Sequence, residues 1–346
     1  MPKVSIRQVC EYLESIAPRA LQESYDNAGL LVGDPEAPVE GVLVCLDSTE
    51  AVVEEARERG CNLIVAHHPI LFRGLKSLTG RTYVERTVMR ALKADIAIYA
   101  IHTNLDNVLH QGVNARMAER LGLLDTRILA PKGGLLRLSV QVEGGTARAL
   151  EDALREALPT HHLPSQPSFV SIGVAGAEAR SRLEWTFPEV WRGAVEAVLH
   201  ERGLSDWTLH ALAQENPHFG SGLLGRLPEP LSETDFLALL KERMLTGCIR
   251  HTALRGKAVH TVALCGGSGS FLLPRARAAH ADAFVTADFK YHEFFDAEDR
   301  ILIADIGHFE SEQFTMHLLQ ELISGKFPNF AAHLTKVNTN PVHYFP

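Results

Sequence analysis

EGVLVCLDSTEAVVEEARERGCNLIVAHHP, residues 40–69, decides the fold class. VLVC and LIVA are short, continuous apolar runs, the pattern of strands buried on both faces. The segment between them carries helix punctuation. Ser48 or Thr49 can cap its start, acids come early, arginines come late, and Gly60 stops it. Strand, helix and strand at this spacing form a βαβ unit, which implies a parallel sheet covered on both sides. The second run ends in His67, His68 and Pro69. Adjacent imidazoles at a strand exit are either a solvated turn or a pair of ligands.

Outward from this unit the α/β pattern continues. Residues 5–16 have helical apolar spacing (Ile6, Val9, Cys10, Leu13, Ile16), and 25–34 read as turn, short strand, turn. Residues 82–95 read as a helix, IAIYAIHTNLD (96–106) as one strand, and 112–123 as a helix stopped by Gly122. The character changes near residue 130. LLRLSVQVE alternates like a strand, and the pattern to about residue 214 suggests one small sheet with two helices. It holds a second pair, His161 and His162, in the Pro/Ser-rich stretch LPTHHLPSQPS, with no partner residues nearby. The α/β pattern then returns. The expected organisation is a first α/β half over 1–131, an inserted domain over 132–214, and a second α/β half over 215–346.

Bulk properties exclude some functions. The chain has 346 residues, 46% hydrophobic and 22% charged, as in ordinary globular proteins. Its net charge of −8 and lack of any basic run disfavour nucleic acid as a partner. No apolar run is long enough for a membrane span and no leader is recognisable, so a cytoplasmic protein is expected. The five cysteines are scattered, without CxxC, and read as buried thiols of a reducing compartment.

Ligand-type side chains collect at four strand exits: AHHP (66–69), IHTNLD (101–106), TADFKYHE (286–293) and DIGHFESE (305–312). Strand exits at one sheet edge are where α/β proteins bind ligands. Successive side chains of an extended chain point to opposite sides, so His67 and His68 suit two different ions better than one. Asp106 and Glu312 each carry two oxygens and can bridge. His102 and His308 lie close by in sequence, and a mixed His/carboxylate site for two divalent ions is the expectation. Zn, Fe, Mn and Ni all fit such ligands. Taken singly, His102 also reads as a hydrogen-bonded core histidine, and Glu310 and Glu312 as first-turn acids. GGSGS (266–270) reads as an anion cradle of backbone N–H groups or as a tight turn.

These stretches together resemble a known family. DNAGLLVGD, LIVAHHPILF, YAIHTNLDNVLHQGVNARMAERLGL, GGSGS, VTADFKYHE, ADIGHFESE and VNTNPVHYF are similar, in order, to motifs of the Nif-three-like dinuclear metal-centre family. Some of its members carry the name GTP cyclohydrolase I type 2. The resemblance covers about residues 1–125 and 220–346. It implies metal ligands His67, His68, Asp106, His308 and Glu312, two similar α/β halves forming one core, and a toroidal homohexamer. It also implies an inserted α+β domain of the ferredoxin-like, PII/CutA type. Ala287 stands where the family usually has glycine, which is tolerable unless its φ is positive.

The expected function is metal-dependent hydrolysis of a small phosphorylated or nucleotide-like molecule. His102 or His292 would move protons. Lys290, Tyr291 and the backbone of Gly267, Ser268 and Gly269 would hold an anionic substrate. A metal-binding or metal-delivery protein without turnover, and an interaction scaffold, are the alternatives.

Overall fold

Three wholly buried apolar strands form the middle of the first sheet, because each is too apolar to face water. The computed structural model describes residues 3–143, 146–158, 168–172 and 180–345; His161 and His162 lie outside them. The chain forms two units, Met1–Ala130 with Ser221–Pro346, and Pro131–Gly220. Along the chain, β1 (Gly29–Val32), β2 (Gly41–Cys45), β3 (Leu63–Ala66), β4 (Ala97–Ala100) and β5 (Leu124–Pro131) come first. Then follow β6 (Leu135–Glu143), β7 (Ser168–Ile172), β8 (Arg180–Pro188) and β9 (Trp207–Leu212). The chain ends with β10 (Gly220–Ser232), β11 (Arg250–His251), β12 (Ala258–Ser268), β13 (Ala283–Ala287), β14 (Leu302–Asp305) and β15 (Ala331–Leu334).

The first sheet has the order β1-β4-β3-β2-β15. Its strands run parallel except β1, the antiparallel edge. Every residue of β2, β3 and β4 is buried, as a parallel sheet with two covered faces requires. Helices Glu50–Glu58 and Tyr83–Lys93 cover one face, capped by Thr49 and Thr82. Their Val52, Ala56, Val88 and Ala91 pack against Ile64 and Ile98.

The second sheet has the order β11-β14-β13-β12-β10-β5. Again a parallel trio, β12, β13 and β14, is flanked by antiparallel neighbours, β10 and β11. The two α/β halves are therefore similar, and they exchange elements. β15, from the end of the chain, completes the first sheet beside β2. In return, helix Val113–Leu121 places Met117, Ala118 and Leu121 in the core under β12, against Val262 and Leu264.

The second unit runs strand–helix–strand–strand–helix–strand, with helices Ala147–Ala157 and Arg192–Glu201. Its antiparallel sheet has the order β7-β8-β6-β9, the ferredoxin-like arrangement. Leu138, Leu154, Leu183, Phe187 and Leu199 form its core.

Two expectations need correction, and the one for Ala287 holds. Residues 96–106 are not one strand: β4 stops at Ala100, and Thr103–Asp106 is a single helical turn. Side chains capture the amides a longer strand would use, since His102 N–H donates to Asn104 Oδ1 at 2.9 Å and Thr103 N–H to Asp26 Oδ2 at 3.0 Å. At the TADF turn Ala287 is a buried strand residue, and the positive φ (59°) falls on Asp288. Four cysteines are buried as expected, but Cys248 is exposed. Among the described residues no helix is long and apolar enough to cross a membrane.

Candidate metal centre

Four histidines meet at the ends of the parallel strands, and each is held by one ring nitrogen. His67 and His68 follow β3; their backbone N–H groups still donate to the carbonyls of Cys45 and Leu46, at and just after the end of β2. His67 Nδ1–H donates to the Ile101 carbonyl at 2.8 Å. His68 Nδ1 is 2.8 Å from Asp47 Oδ1, His102 Nδ1 is 2.8 Å from Asp26 Oδ1, and His308 Nδ1 is 2.6 Å from Asp288 Oδ2. A carbonyl or carboxylate on Nδ1 fixes the tautomer and orientation and leaves Nε2 as the lone-pair atom, the usual support of a metal-ligating histidine.

The second half supplies the central carboxylate. Gly307, at φ 95°, turns the chain after β14 into the short helix His308–Glu312. The i,i+4 spacing puts His308 and Glu312 on one face. Glu312 Oε1 lies 3.8 Å from His67 Nε2, which is also 3.7 Å from Asp106 Oδ1. Glu312 Oε2 lies 2.9 Å from His68 Nε2 and 3.2 Å from His308 Nε2. One carboxylate thus divides the histidines, with His67 and Asp106 on one side and His68 and His308 on the other. His67, His68 and Glu312 bring one ligand atom each within 4.8 Å of one another.

The donor set fits divalent cations. His67 Nε2 and Asp106 Oδ1 are buried and make no hydrogen bond. Leaving two such atoms unsatisfied costs on the order of 1–3 kcal/mol each, which a shared cation would offset. Ligands bound at about 2.1 Å around one ion lie roughly 3–4 Å apart, as these do.

The electrostatics match. Burial opposes charge on His68, but Glu312 and Asp47 outweigh it and raise its pKa to about 10. Desolvation likewise opposes charge on the partly exposed His308, but Glu312 and Asp288 raise its pKa to about 11. Burial would raise Glu312, but His308 and His68 hold it well below the usual carboxylate range. Burial and the Glu312 charge push Asp106 well up. His67 is kept neutral by burial. Burial also works against the Asp26 carboxylate, yet bonds from His102 and Thr103 bring it to about 2.

The cluster opens into a cavity of about 1490 Å³. Of the other residues expected in the site, His102 and Ser268 line this cavity, whereas Lys290, Tyr291 and His292 do not. His292 instead packs against Tyr291 and Phe295 in the turn Tyr291–Ala297. Gly267 and Gly269 are both closely packed. Gly267 N–H donates to Ser311 Oγ at 2.9 Å, so it has no amide to offer an anion, and Gly266 N–H is taken by Asn114. A Cβ on Gly267 (φ 62°) would collide with Glu312 Oε1, and one on Gly269 with Thr286 Oγ1.

Sequence reading passed over the residues that anchor the rings: Asp26, Asp47 and Asp288. Asp47 leaves β2 in CLDST, a fifth strand exit at the same edge, and its other oxygen accepts from Thr339 Oγ1 at 2.8 Å. That position was the available signal.

A family model described as Duf34/NIF3 (NGG1p interacting factor 3) matches residues 4–341. A Halalkalibacterium halodurans protein named "GTP cyclohydrolase 1 type 2 homolog" is 31% identical, over 96% of this chain and 97% of that protein. A Bacillus subtilis protein of the same name is 30% identical over 88% of each. Among solved structures, a Bacillus cereus protein related to NIF3 superposes with a TM-score of 0.84 at 29% identity, over 100% of both chains.

Proposed function

The chain belongs to the Duf34/NIF3 family, and we propose that it is a metal-dependent hydrolase of a small phosphorylated or nucleotide-like molecule. The observation that carries this reading is the division of the ligands by Glu312. His67, Asp106 and Glu312 Oε1 would hold one divalent cation, and His68, His308 and Glu312 Oε2 a second. Zn, Fe, Mn and Ni suit this N/O set. Such a pair, when bound, lowers the pKa of water and draws charge from a phosphoryl or carbonyl oxygen.

The chain's own residues supply the rest. Asp47 and Asp288 hold His68 and His308 with Nε2 turned inward. His102, fixed at Nδ1 by Asp26, stands with its ring 5.4 Å from those of His67 and His68. Its Nε2 can accept a proton from attacking water and return it to a leaving group. Opening a guanine ring and cleaving a phosphoester both begin with attack by water, so GTP belongs among the substrates tested.

The homohexameric ring is part of this reading. Exposed Tyr291 and Phe295 offer apolar surface of the kind that assembly covers, and light scattering measures the mass.

The deciding experiment measures metal content in protein purified without added metal, for wild type and for a double variant, His67→Ala with Asp106→Ala. A screen of phosphomonoesters, phosphodiesters and nucleotides follows. About two ions per chain, lost in the variant together with turnover, is the expected result. Two ions with no turnover on any substrate would instead assign a metal-handling protein. No metal after reconstitution would overturn the reading.

A further inference from the structure

Tyr25 and Phe72 line the same cavity as the histidines, and the chemistry above uses neither. Their rings are nearly parallel, 18° apart in plane, with centroids 6.4 Å apart. That is the far end of the range for interacting rings, well beyond the ~3.5 Å of direct face-to-face contact. A flat ring held between two others needs about 7 Å from outer ring to outer ring, two carbon contacts of ~3.5 Å, so these two would part by less than ~1 Å to admit one. Both side chains are exposed, at 64% and 46%, so core packing does not account for them.

Their spacing is set by the backbone. Asn27 Nδ2 donates to the Leu71 carbonyl at 2.6 Å, tying the turn that carries Tyr25 to the loop that carries Phe72. Phe72 also stands edge-on to His102, with centroids 5.6 Å apart, which places the pair beside the ligand cluster. Next in the loop, Arg73 and Lys76 line the cavity. Neither makes a hydrogen bond or ion pair among the described residues, whereas Arg86, just beyond the loop, is paired with Glu50. Unpartnered cations on the rim of a cavity rich in carboxylates call for an anion from outside.

We propose that Tyr25 and Phe72 close on the two faces of a planar aromatic ring of the substrate, while Arg73 and Lys76 hold a phosphate carried by that ring. This rests on the cavity being the substrate site, and it narrows the substrate to flat aromatic or heteroaromatic phosphates. Aliphatic sugar phosphates lack the feature the clamp recognises.

The test titrates 2-naphthyl phosphate and its saturated decahydro analogue into the full-length protein by calorimetry, as purified and after chelation. Wild type is compared with Tyr25→Leu, Phe72→Leu and the double variant Arg73→Gln with Lys76→Gln, each checked for an unchanged thermal midpoint. In wild type the flat ligand binds about tenfold or more tighter than the saturated one, with or without metal. Each leucine variant reduces that preference severalfold and leaves the saturated ligand's affinity unchanged. The charge variant weakens both ligands alike. Equal affinities in wild type, no binding of either ligand, or a preference untouched in both leucine variants would overturn the clamp. A preference that survives chelation while no ester is ever hydrolysed leaves the clamp standing and sinks the hydrolase reading. Hydrolysis without any flat-ring preference does the reverse.

Discussion

Gly267 shows how one missing side chain makes room for the centre. Its φ of 62° and the closeness of Glu312 Oε1 leave no place for a Cβ. Gly267→Ala is expected to displace Glu312, lower the metal content to that of the His67→Ala, Asp106→Ala double variant, and cost about 1–3 kcal/mol in denaturant unfolding. A metal-replete Gly267→Ala protein would count against Glu312 as the dividing ligand. Proton counting gives an independent check. With His68 raised to about 10 and His308 to about 11, both carry protons at pH 7 in metal-free protein. Loading is then expected to release about two protons per chain, read as a dependence of the calorimetric heat on buffer ionisation enthalpy. The two histidine pKa values are raised by folding. Their contribution to metal-free stability is therefore full below the unfolded value near 6.5 and is lost as pH rises toward 10 and 11. Melting of chelated protein is expected to fall across that window. At this scale the His and carboxylate types were legible, because ligand chemistry restricts them to few residues. The aspartates that orient the rings were not, since an aspartate near a turn has many ordinary uses.

Elements were legible where pattern and punctuation agreed. The apolar runs of β2 and β3 and the capped helix between them left one arrangement open, and it formed. The stretch 96–106 failed because its polar end makes side-chain bonds to its own backbone, a competition that apolar periodicity does not record. Helix Glu233–Arg243 shows a further device hidden from pattern reading. Its first residue, Glu233, is buried and accepts from Arg255 Nε at 2.8 Å and from the Arg255 and Gly256 amides at 2.6 and 2.9 Å. Arg255 also donates to the carbonyls of Asp282 and Arg300, which lead into β13 and β14. This pair joins three elements of the second sheet. Burial would raise the Glu233 pKa, but Arg255 and the amides bring it below the usual value. Its stabilisation is thus present above about pH 4.5 and lost as pH falls through the lower folded value. Glu233→Gln is expected to cost about 3 kcal/mol at pH 7 and to flatten the acid limb of the stability curve. Equal stability of variant and wild type at pH 7 would show that the pair is not the joint described.

At the scale of the molecule, the candidate ligand residues all belong to one unit, and among the described residues Pro131–Gly220 contributes none. The excursion begins and ends at adjacent points, since Lys132 N–H donates to the Phe219 carbonyl at 2.9 Å. A short Gly/Ser linker from Ala130 to Ser221 is therefore expected to preserve metal content, measured on the purified deletion protein. Loss of metal from a folded deletion protein would show that the insertion supports the site. The sequence pattern changes near residue 130, and the second unit begins at Pro131. The exchange of elements between the halves was not, because pairing partners far apart in the chain leave no local mark. That exchange bears on how the protein is made. β2 emerges from the ribosome long before β15, which closes its open edge, and His67 and His68 emerge well before Glu312. At roughly 5–20 residues per second, the interval is on the order of tens of seconds. Throughout it the growing chain displays an unpaired apolar strand edge, an invitation to mispairing, and has no complete cation site. On the proposed reading, metal insertion is a step that follows translation, and the nascent first half is the stage at which a chaperone has something to shield.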